Sequence, residues 1–197
     1  MARLFLALRD GLRSLDTFYH NVEMPSLDRQ CNRGDIFFPH VLSYRKSDRV
    51  VAITYIAQLG PNDKSKAVFK GEDSDGQRIV VKFTDRYNAK GHRLLAEHSF
   101  APQLLYISSE DKDAGHFGYR VMVVMEFVDS QMAEDFNPVL SKPRSIWSAV
   151  CNDVKLAIET LHKADLVFGD LRTPNIMIVD GRGKLVDFDW CGREGQD

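Results

Sequence analysis

The sequence predicts an α+β chain in two parts: a five-stranded lobe packed around one helix, then an incomplete helical lobe. Three observations carry this. Residues 49–128 hold apolar, β-branched runs separated by turn-forming Gly, Asp and Asn, with one helical segment among them. Ile146, Trp147, Val150, Val154, Ile158 and Leu161 recur at the spacing of one helix face. Beyond that stripe, Ile176-Met177-Ile178-Val179 and Lys184-Leu185-Val186-Asp187 flank Asp180-Gly181-Arg182-Gly183, which has the composition of a hairpin turn.

Taken in order, residues 1–48 read as an N-terminal helix and connector. Leu4, Leu8, Leu12, Leu15 and Phe18 fall at steps of three and four, one face of a helix over residues 1–21. Residues 22–47, with Pro25, Gly34 and Pro39, carry no such period and read as connector. The strand-rich lobe spans 49–128. Val50 to Leu59 is its first strand, Gly60 to Lys66 a loop, and Ala67 to Lys70 and Gln77 to Thr84 two strands around the Asp75-Gly76 turn. Arg86 to His98 reads as a helix stopped before Pro102, and Leu104 to Ser108 and Tyr119 to Val128 complete a five-strand meander. Residues 129–197 form the partial helical lobe, whose apolar stripe is core packing that leads into a polar loop.

Bulk properties narrow the function classes. A chain of 197 residues can bury a real core, and a net charge of -2 without a basic stripe argues against a nucleic-acid partner. No apolar run approaches the ~20 residues needed to span a bilayer, so no membrane partner is expected. Cys31, Cys151 and Cys191 are scattered and in no metal-ligand spacing. Free thiols of this kind point to a reducing compartment, hence an intracellular protein, cytoplasmic or nuclear.

The polar loop carries the chemistry. Phe168-Gly169-Asp170-Leu171-Arg172-Thr173-Pro174-Asn175 supplies an aspartate and an asparagine, and Leu185-Val186-Asp187-Phe188-Asp189 a second aspartate after the hairpin. Moving a γ-phosphoryl group is mostly positioning and charge neutralisation. It calls for hard oxygen ligands to Mg²⁺ and one carboxylate beside the acceptor hydroxyl. The order D-x-x-x-x-N followed by D-F meets that need.

On these residues the chain resembles the protein-kinase-like superfamily. It is most similar to the protein kinase domain-containing proteins of mushroom-forming (basidiomycete) fungi, with the C-terminal part of the domain truncated after Asp197. The resemblance implies a protein-kinase-like two-lobed fold and ATP and Mg²⁺ as cofactors. It gives Asp170 the role of acceptor-orienting base, Arg172 that of neutralising transferred charge, and Asn175 and Asp187 those of metal ligands. It makes Lys82, in Ile79-Val80-Val81-Lys82-Phe83, the phosphate-holding lysine. Val68 would cover the adenine, Met125 limit the back pocket, and Glu126 and Val128 offer backbone groups to the adenine edge.

The chain also departs from the family. Arg86 to Gly91 holds no acid to pair with Lys82, which leaves Glu97 as the carboxylate of that helix. Gly60 to Lys66 has one glycine where a phosphate-cradling loop has three, Phe168 stands where the loop has His, and Asp189 where the metal motif has Gly. The implied activity is ATP-dependent phosphotransfer of the serine/threonine kinase type to a hydroxyl-bearing acceptor, a protein, and weak in this truncated chain. The alternatives are a pseudokinase-type nucleotide-binding scaffold and a small-molecule kinase of the aminoglycoside or choline kinase type. The acceptor's identity and the oligomeric state are open.

Overall fold

The computed structural model describes residues 9–14, 17, 38–60, 67–114, 119–132 and 144–195. The chain divides into two units, Met1–Phe38 and Pro39–Asp197. In the first unit residues 9–14 are helical (α1) and Leu12 is exposed. Leu4, Leu8, Leu15 and Phe18 of the expected stripe lie outside the described residues.

The second unit is built on alternation. β1 (Ser43–Lys46), β2 (Arg49–Gln58), β3 (Ala67–Asp73), β4 (Arg78–Thr84), β5 (Leu104–Ile107) and β6 (Val121–Glu126) form one antiparallel sheet in the order β1-β2-β3-β4-β6-β5. Successive strand side chains face opposite sides, so Val51 and Ile53 of β2 and Ile79 and Val81 of β4 point inward. They are buried with Tyr44, Tyr106, Met122 and Val124. The sheet curls until its two edges nearly meet. Tyr44 of β1 and Tyr106 of β5 have ring centroids 5.8 Å apart, and Arg45 pairs with Asp111 and Asp113 just past β5. Buried Asp73 ties the turn between β3 and β4, accepting from the Tyr44 hydroxyl at 2.8 Å, Gln77 N at 2.9 Å and Asp75 N at 3.0 Å. Burial pushes its carboxyl up, but those donors and Lys46 hold it below the usual carboxylate range.

α2 (Ala89–Glu97) begins at Asn88, whose side chain accepts from Gly91 N at 2.8 Å and caps the helix. α3 (Arg144–His162) lays its stripe on a second sheet, β7 (Gln131–Met132), β8 (Ile176–Val179) and β9 (Arg182–Leu185), in the order β7-β8-β9. Val150 and Leu161 are buried, and buried Asp153 binds the Arg182 guanidinium and accepts from Gly183 N at 3.0 Å. A second core gathers Leu95, Leu161, Leu166, Phe168, Leu185 and Phe188 from α2, α3, the loop and the hairpin. Cys151 and Cys191 are free thiols. No helix among the described residues is long and apolar enough to cross a membrane.

The expected fold class is overturned. In place of a five-stranded lobe there is a six-stranded antiparallel sheet nearly closed on itself, and α-helix among the described residues is confined to the N-terminal unit, α2 and α3. That mostly-β arrangement does not fit the two-lobed kinase-like fold. The sheet is not a meander either, because β5 lies outside β6 at the edge. The physical reason is at the margins. Ser43–Lys46 buries one residue, Tyr44, so it has no alternation to read and falls within the expected connector. Closure comes from contacts between sequence-distant edges, which local periodicity does not encode.

Candidate functional site

Lys82 lies on the opposite face of β4 from the buried Ile79 and Val81, with its side chain 12% exposed. Its ammonium sits between two carboxylates, 2.7 Å from Asp187 Oδ1 and 2.7 Å from Asp189 Oδ1. Thr84, two residues along the same strand face, donates its hydroxyl to Asp189 Oδ2 at 2.7 Å. Val68 stands opposite Lys82 in the β3–β4 register. These residues line a cavity of about 150 Å³ with Arg120 at its rim. Burial raises the Asp189 carboxyl, and the charge and hydrogen bond of Lys82 pull it back only in part. Burial, with the two carboxylates adding to it, pushes the Tyr87 hydroxyl well up.

Asp187 occupies the left-handed region, φ 71° and ψ 74°. A non-glycine residue there costs roughly 1–3 kcal/mol and persists only when its surroundings dictate it. Phe188 dictates it. That ring is fully buried, stacked on His92 at 4.6 Å and 10°, with Phe168 edge-on at 5.4 Å and Tyr87 at 6.2 Å. Its carbonyl accepts from Asn88 N at 3.2 Å, tying the segment to the start of α2.

The loop is pinned from below. Val167 and Gly192 exchange backbone bonds at 2.7 and 3.0 Å. Gly169 has φ 81°, and a Cβ there would lie 2.2 Å from the Trp190 carbonyl oxygen, so only glycine fits. Asn175, 2% exposed, donates its amide to Asp170 O at 2.9 Å and to Asp170 Oδ2 at 2.8 Å. Arg172 Nε donates to the same Oδ2 at 3.0 Å. The hairpin joins this cluster to the segment Asp187 to Asp189, since Val186 N donates to Asn175 O at 3.0 Å.

Of the residues singled out in sequence, Lys82, Val68 and Asp187 line one cavity, and Asp170, Arg172 and Asn175 form a bonded cluster beside it. Arg172 is held on Asp170 by that bond. Met125 and Glu126 sit at the far end of β6, opposite Val80 and Ile79. Glu126 is three positions from Val123, the partner of Lys82, about 10 Å at the rise of a strand. Val128 follows the strand end and is partly buried. Glu97 is exposed at the end of α2, and both ion pairs of Lys82 go to Asp187 and Asp189 instead. Residues 61–66 of the glycine-poor loop lie outside the described residues. Sequence reasoning missed Thr84 and the anchoring of Asp189. The signal for Thr84 was its same-face position two residues after Lys82.

His92 is the buried titratable group behind the site. The Pro102 carbonyl can only accept, so Nε2 carries the proton and donates to it at 2.8 Å, and Nδ1 accepts from the Tyr87 hydroxyl at 2.7 Å. Burial lowers its pKa to about 4. Because the folded value lies below the unfolded value near 6.5, the unfolded chain binds the proton first. The contribution is therefore whole above pH 6.5 and is lost as pH falls toward 4, up to about 3 kcal/mol. Denaturant midpoints at pH 7 and pH 4.5 should separate less for His92→Gln than for wild type. Equal separations would refute a neutral buried His92.

No protein-family profile matches the chain. A stretch of 72 residues, 36% of the chain, is 33% identical to the serine/threonine-protein kinase pak-1 of Caenorhabditis elegans. It spans 13% of that protein, far below two thirds of its length. The likeness is to a kinase over about a third of the chain.

Proposed function

We propose that this chain is a phosphotransferase that moves the γ-phosphoryl group of ATP to a hydroxyl-bearing protein acceptor. The observation that carries the reading is Lys82, held between Asp187 and Asp189 over a cavity and linked through Val186 to Asn175 and Asp170. The stretch similar to a serine/threonine kinase supports it. The narrower likeness to fungal kinase domains rests on the wording of Phe168 to Asn175 and Asp187 to Trp190.

The donor set suits magnesium. Asp187 and Asn175 offer hard oxygens, and the described residues hold no cluster of three or more His, Cys, Asp or Glu that would make an all-protein cage. One or two side chains completed by water and phosphate oxygens is the usual Mg²⁺ arrangement. Bound there, the ion would neutralise phosphate charge as it develops. Lys82 supplies a point charge for the α- and β-phosphates. Both bonds to the Asp170 carboxylate fall on Oδ2, leaving Oδ1 without a bond to any described residue and suited to accept an acceptor hydroxyl proton. Asn175 and Arg172 orient that carboxylate. Val68 and Met125 provide apolar contacts for the base, and Glu126 and Val128 backbone groups for its edge.

A nucleotide-binding scaffold without transfer is the second reading, favoured by the lack of an acidic residue in the first turn of α2. Melting the protein with ATP alone, Mg²⁺ alone and both tests nucleotide binding under either reading. Ligand at a hundredfold excess over Kd adds about 2.7 kcal/mol, roughly 5–10 °C for a chain this size. The full shift is expected only with both present. An unchanged melting temperature would remove both readings.

A further inference from the structure

Lys82 holds two carboxylates where one would hold it, and the two are not equivalent. Asp187 is a candidate cation ligand, and a lysine anchored on Asp187 alone would compete with the cation for the same oxygen. Asp189 is differently placed. One of its oxygens binds Lys82 Nζ at 2.7 Å and the other takes the Thr84 hydroxyl at 2.7 Å, so a single carboxylate bridges two side chains of one strand face. α2, the helix that follows β4, offers Lys82 no carboxylate: its first turn has no acid, Asn88 is its cap, and Glu97 is exposed.

We propose that Asp189, oriented by Thr84, is the permanent anchor of Lys82 and takes the place of a helix carboxylate, which releases Asp187 for the cation. Asp189 is then a positioning residue, acting through Lys82. The release of Asp187 rests on the phosphotransferase reading; the anchoring of Lys82 does not.

The anchor is tested first without nucleotide. Lys82 in the folded chain is labelled with an amine-acylating reagent and quantified by mass spectrometry. The label reports how freely the Lys82 side chain leaves its carboxylates to meet the reagent. Asp189→Asn, isosteric and able to keep the Thr84 bond, should raise labelling several-fold, more than Asp187→Asn does. Thr84→Val, which leaves both charges, should give a smaller rise in the same direction. Wild-type labelling in Asp189→Asn, or a larger rise in Asp187→Asn, would overturn the proposal.

Mg-ATP titrations separate it from the reading beneath it. Lys82→Met and Asp189→Asn should weaken binding alike, and the double variant no further than Lys82→Met alone. Additive losses would make Asp189 a ligand in its own right and overturn the anchor. If Lys82→Met leaves binding unchanged while the labelling pattern holds, the phosphotransferase reading falls and the anchor stands.

Discussion

Asp170→Asn is expected to slow phosphoryl transfer by ~10² to 10⁴-fold, the usual contribution of a positioned general base, while leaving Mg-ATP affinity near wild type. That is roughly 3 to 5 kcal/mol of transition-state stabilisation. The geometry makes the variant conservative. The amide oxygen of the new side chain can still accept from Asn175 Nδ2 and Arg172 Nε, which bind Asp170 Oδ2 at 2.8 and 3.0 Å. What is lost is the negative charge facing the acceptor. Asp187→Asn should behave differently, weakening nucleotide binding only when Mg²⁺ is present. Measured kcat and Kd for both variants separate the roles. Equal loss of Mg-ATP affinity in the two would place Asp170 in the binding set and withdraw its role as base.

Phe188→Ala is expected to cost about 3–5 kcal/mol of stability, the range for truncating a buried Phe. Phe188 is fully buried against His92, Phe168 and Tyr87, and its carbonyl ties Asn88 at the start of α2. The same ring holds Asp187 at positive φ. Without it the strained backbone can relax, so Mg-dependent nucleotide affinity should fall along with stability. Denaturant midpoints read the first effect and titrations well below the midpoint the second. A cost under about 1 kcal/mol, the range of surface changes, would mean that this core does not carry the site.

Much of the strand content was legible because burial on one face writes alternation into the chain. β2, β4 and β6 lie within stretches rich in Val and Ile. α3 was legible from its stripe, which does pack on the second sheet. The fold class was not. β1 buries only Tyr44, β7 has two residues, and the near-closure of the sheet rests on Tyr44 meeting Tyr106 across the chain. α2 starts at Ala89 rather than at Arg86, because the Asn88 side chain caps it.

The loop cluster was partly written in local spacing, since Asp170 and Asn175 are five residues apart and touch directly. The partners of Lys82 were not, being 105 and 107 residues away. Asp189 stands in sequence only as a substitution for glycine, and nothing local to it points to Lys82. The strain at Asp187 and the stack of Phe188 on His92 have no counterpart in any sequence pattern.

The most direct measurement follows the label from γ-labelled ATP, with autophosphorylation and hydrolysis scored together, in the presence and absence of Mg²⁺. The account predicts that label leaves ATP only with Mg²⁺, to a hydroxyl of the protein or to water, and that Asp170→Asn reduces this toward background. Wild-type release indistinguishable from Asp170→Asn, in a protein that Mg-ATP still stabilises against heat, would contradict catalysis and leave a nucleotide-binding module.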